Sequence, residues 1–60
     1  MTNMITFEMD HSFAGDIASL GIEYVPNKCD DCLIDVTLNK WECDNQLFGY
    51  LDDNCEGWYW

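Results

Sequence analysis

Leu33-Ile34-Asp35-Val36-Thr37-Leu38-Asn39 alternates apolar and polar side chains from Ile34 onward. Successive side chains on a strand point to opposite faces, so Ile34, Val36 and Leu38 form one surface and Asp35, Thr37 and Asn39 the other. This stretch predicts a half-buried strand and, with it, a sheet that needs a cover on one side.

Upstream, Cys29-Asp30-Asp31-Cys32 reads as the turn into that strand, and Pro26-Asn27 closes a shorter strand over residues 22–25. Phe13, Ile17 and Leu20 recur at i, i+4 and i+7, the spacing of one helical face, and are expected in the core. Asp10 or Ser12 would cap this helix and Gly21 would end it. Met4-Ile5-Thr6-Phe7-Glu8-Met9 alternates again and reads as the first strand. Downstream, Asp44-Asn45 and Asp52-Asp53-Asn54 look like turns between strands near residues 40–43, 46–51 and 55–60. A helix from Trp41 to Leu51 is the alternative. Trp41, Asn45 and Phe48 fit helical spacing, whereas Gly49 and the aromatic content favour strands. The expectation is an α+β fold, one short helix packed on a small twisted antiparallel sheet, in the order β-α-β-β-β-β.

Sixty residues make a single small acidic domain, residues 1–60. A chain of this size hides only about 60% of its unfolded surface. Yet 48% of the residues are hydrophobic and 15% aromatic, which sets the chain apart from disordered acidic segments.

Charge is the outlying feature. Twelve carboxylates face two lysines and no arginine, giving a net charge of −10. A solvated polar face explains why such positions are polar but not why they avoid Lys and Arg. The balance argues against nucleic acid or an anionic membrane as partner. Eight acids follow Cys29: Asp30, Asp31, Asp35, Glu42, Asp44, Asp52, Asp53 and Glu56. Alternate residues on a strand lie about 6.6 Å apart. Duplex DNA carries one charge per ~3.4 Å along each strand. Acids on turns and on one sheet face therefore imitate a row of phosphates in sign and approximate spacing. In size and charge the chain is similar to small acidic inhibitors encoded by phages and plasmids, a likeness of composition alone. The expected function is a DNA-mimicking inhibitor of a basic DNA-binding enzyme: a restriction protein, a repair protein such as a DNA glycosylase, a nuclease or a transcription protein. Trp58 and Trp60 are candidate anchors for a partner or for a homodimer, since Trp is favoured at binding hot spots. Glu8 and Asp16, in the earlier half, are expected to lie outside the contact.

Cys29, Cys32, Cys43 and Cys55 form C-x2-C-x10-C-x11-C. The first pair has the spacing of a zinc knuckle and the second does not. A zinc site built from all four cysteines, free thiols and disulfides all remain open, and a zinc-stabilised interaction module is the alternative function. No cofactor other than zinc is implied. The aspartates between Cys29 and Cys32 disfavour a reactive thiolate of the redox kind. Asp52-Asp53-Asn54-Cys55-Glu56-Gly57 opens like a calcium loop but lacks its closing glutamate. Asp10, His11 and Ser12 have the residue types of a hydrolase triad, but adjacent residues rarely converge, and capping accounts for them. With no phosphate loop and little room for a cleft, an enzyme is not expected. The opening residues show no basic and apolar leader pattern, and no apolar run reaches ~20 residues, so the expected location is cytoplasmic.

Overall fold

The computed structural model describes residues 3–60, apart from the side chain of Glu42. Strand β1 spans Met4–Asp10 and is followed by a 3-10 turn, His11–Phe13, and helix α1, Ala14–Ser19. Strand β2 is only Val25–Pro26, and β3 is Leu33–Asn39. A second 3-10 turn, Lys40–Glu42, leads to helix α2, Asn45–Asn54, and the last strand, β4, is Gly57–Tyr59.

The four strands form one antiparallel sheet in the order β2-β3-β1-β4. The expected α+β class, with helix packed on a twisted antiparallel sheet, is what the chain adopts. Pairing of β1 with β3 runs from Met4↔Asn39 to Asp10↔Leu33. It sets Ile5, Phe7 and Met9 beside Ile34, Val36 and Leu38 on one face. Both helices cover that face, where Ile17 of α1 and Leu51 of α2 are fully buried with Ile5, Phe7, Met9 and Val36. Phe48 meets Phe7 edge to face, with ring centroids 5.5 Å apart. The outer face carries Thr6, Glu8, Asp35 and Thr37, and the hydroxyls of Thr6 and Thr37 lie 2.9 Å apart.

Several local expectations are corrected: the strand expected over 22–25 is only Val25–Pro26, and Asp52-Asp53-Asn54, expected as a turn, ends α2. The strand expected over 46–51 is part of α2, because Asp44 caps it: its carboxylate accepts from the Gln46 N–H at 2.9 Å. Leu47, Phe48 and Leu51 then share one helical face, the i, i+1, i+4 pattern of a stripe turned to a core. The strand expected over 40–43 is a tight turn capped by the Asn39 side chain. Leu20, expected in the core, is 54% exposed. Helix α1 stops at Ser19, Gly21 takes a positive φ of 76°, and Leu20 turns out with the chain.

Candidate functional site: an acidic end of the sheet

Antiparallel pairing decides where the acids gather. β1 finishes at Asp10, where β3 begins, and β4 begins opposite Glu8. At this end Asp10 lies beside the turn bearing Asp30 and Asp31, and Glu8 faces Asp35. α2 starts near the opposite end, after Asn39, and runs back toward this one. The Glu56 N–H, two residues past its last turn, donates to the Glu8 carbonyl at 2.7 Å. Asp52, Asp53 and Glu56 therefore join Glu8, Asp10, Asp30, Asp31 and Asp35. Eight of the twelve carboxylates collect at one end, with Lys28 among them.

Two of these acids are held in place without a cation. The Asn27 side-chain amide donates to Glu8 Oε2 at 2.9 Å and to Asp35 Oδ1 at 2.8 Å. Its carbonyl oxygen accepts from the N–H groups of Cys29 and Asp30 at 2.8 and 3.0 Å. Both donors and both acceptor positions of this amide are used. One side chain thus fixes the carboxylate pair and the turn that carries Asp30 and Asp31. Within the turn, the Asp30 carboxylate accepts from the Cys32 N–H at 2.8 Å. Asp10 accepts from the Ser12 N–H at 2.9 Å, and that bond holds its carboxyl below the usual carboxylate range. Asp10 thus caps the 3-10 turn His11–Phe13 that leads into α1, whereas α1 itself starts from Phe13 without a side-chain cap.

Asp52 and Asp53 stand in the last turn of α2, where the helix presents its negative pole and no basic residue balances it. Carboxylates there oppose the helix macrodipole. The placement lowers stability, and packing within the helix does not require it, since both side chains are exposed.

The other predicted residues are dispersed. Asp44 caps the far end of α2, and the Glu42 side chain lies outside the described part. Trp60 lies at the end of the sheet opposite the acids, with Lys40 Nζ 5.1 Å from its ring centroid. Trp58 lies between the two ends and meets Trp60 edge to face at 5.8 Å. Glu8, expected outside the contact, lies in the same acidic end as Asp35, because the register with β3 could not be read from β1 alone. Asn27 was also missed. Its position just before a turn signals local backbone bonding, but nothing local reveals its two carboxylate partners.

The four cysteines do not assemble. Cys43 and Cys55 flank the ten residues of α2, about 15 Å of helix, whereas thiolates on one zinc sit about 2.3 Å from it. Among the described residues no three Cys, His, Asp or Glu side chains converge as a metal site. Cys29 and Cys32 are exposed in the turn. Partial burial, then the charges of Asp44 and Asp52 respectively, push the Cys43 and Cys55 thiols above their ordinary range. Neither is suited to nucleophilic work. No described helix is long and apolar enough to cross a membrane. No protein family, curated protein or solved structure matches the chain.

Proposed function

We propose that the chain is a protein-binding inhibitor that imitates DNA, of the kind carried by phages and mobile elements. It occupies the basic nucleic-acid cleft of a DNA-processing enzyme. The observation that carries the reading is the collection of eight carboxylates at one end of the sheet by strands that are remote in sequence. Two further features support it. Asn27 spaces Glu8 and Asp35 with a neutral donor, leaving outward lone pairs for Lys and Arg. Asp52 and Asp53 stand where they destabilise their own helix, as expected of charges kept for a partner. Glu8 and Asp35, directly opposed on neighbouring strands, place charges roughly 5 Å apart, about one and a half times the ~3.4 Å axial step between charges along one DNA strand.

The experiment is affinity capture from a native host, then titration of the captured protein with DNA and with this chain. Mutual exclusion is expected, with association slowing as salt rises, because such steering is screened beyond about 8 Å at physiological ionic strength. Simultaneous binding of DNA and this chain would replace mimicry with docking elsewhere on the partner.

A further inference from the structure

The two edges of the sheet are unlike. β2 is two residues long and includes Pro26, which has no N–H to offer a further strand. β4 forms the other edge and, among the described residues, pairs only with β1. Gly57-Trp58-Tyr59 and the following Trp60 carry no charge and no proline. Trp58, Tyr59 and Trp60 are 46%, 50% and 65% exposed. Sheet edges are usually blunted by Lys, Pro, bulges or short length, and this one is blunted by length alone.

We propose that the β4 edge is a self-association site whose occupant is β4 of a second copy, paired antiparallel about a two-fold axis. Charge selects both the occupant and the register. Residues opposed across a strand pair share a face of the sheet, so the axis passes through a residue and not between two. An axis through Trp58 uses the whole strand: Trp58 meets its own copy and Gly57 meets Tyr59, which leaves Glu56, just before the strand, near Trp60, just after the strand of the other copy. Lys40 stands over Trp60, so this register brings Lys40 of each copy beside Glu56 of the other. The contact occurs twice, as an isologous interface requires. A chain of net charge −10 repels its own copies over most of its surface. This register instead pairs one of its two lysines with an acid and sends the two acidic ends to opposite ends of an eight-stranded sheet. The inference does not rest on the proposed partner and is tested without one.

The test is sedimentation equilibrium of the full chain over rising concentration, for wild type, Glu56→Lys, Lys40→Glu and the double variant. Both positions are exposed, so each variant should keep the wild-type far-UV spectrum. Wild type is expected to pass from monomer to dimer. Glu56→Lys reduces the net charge from −10 to −8, which general repulsion would turn into tighter association. The proposed contact predicts the reverse, a roughly tenfold weaker dimer, since two exposed attractions become repulsions. Lys40→Glu should weaken it similarly, and the double variant should restore it. A wild type that stays monomeric throughout overturns the proposal. So does a Glu56→Lys variant that dimerises as well as wild type, or a double variant that fails to recover.

Discussion

Replacing Asn27 with alanine removes four hydrogen bonds at once: two to the carboxylates of Glu8 and Asp35 and two to the N–H groups of the following turn. A net hydrogen bond in a folded protein contributes about 0.5–1.5 kcal/mol. Four give an upper range of about 2–6 kcal/mol, and water reaching this surface recovers part of it, leaving about 2–3 kcal/mol. For a domain of this size each kcal/mol moves the melting temperature by about 4–8 °C, so a fall of about 10–20 °C is expected. Asn27→Asp separates the two roles of the amide. It keeps the acceptors for the turn and replaces the donors with a third negative charge, and should cost at least as much as alanine. Thermal unfolding followed by far-UV circular dichroism reads both variants. A fall of under about 4 °C for alanine, less than 1 kcal/mol, refutes the organising role of Asn27. So does an aspartate variant as stable as wild type.

Leu51→Ala should cost about 2–5 kcal/mol, most of the stability of a small domain, whereas Leu20→Ala should change little because that side chain is already half in water. Urea titration of the two variants distinguishes these positions. Gly49→Ala should stabilise α2 by about 1 kcal/mol, since a Cβ at that position meets nothing within 4 Å. A lower melting temperature would show that the residue is needed for something other than helix. Asp52→Lys and Asp53→Lys should each raise stability by about 0.3–1 kcal/mol by reversing an unfavourable helix-end charge, while weakening capture of the proposed basic partner. A variant that loses stability and keeps its binding contradicts both parts.

The two long strands were legible because each is covered on one face and bare on the other, which prints period two directly into residues 4–10 and 33–39. α2 was obscured by its own composition. Gly49 and the aromatics resemble strand residues, and the decisive signals were Asp44 as a cap and the Leu47, Phe48, Leu51 stripe. Leu20 obeyed helical spacing but fell one residue beyond the helix, where spacing no longer dictates facing. The net charge was plain from composition, but its concentration was not. That depends on β1 lying between β3 and β4, pairings such as Thr6↔Thr37 and Thr6↔Tyr59 that join remote parts of the chain. The excess of acids after Cys29 hid Glu8 and Asp10, which belong to the same end.

The unequal ends of β1 also give the molecule a heading in an external field. Met4 and Glu8 are about 14 Å apart along the strand, with the carboxylates gathered beyond Glu8 and Lys40 near the other end. One unit charge attracts another by about 0.4 kcal/mol at 10 Å in water. A net seven charges, eight acids less Lys28, sum to about 3 kcal/mol, and physiological salt leaves roughly 1 kcal/mol of that. This exceeds the thermal energy of about 0.6 kcal/mol. A cation on an approaching surface therefore exerts a torque that turns the acidic end forward before the two bodies touch. For a single copy, fewer rotational trials are then spent on unproductive collisions, and the tryptophan edge trails behind the first contact.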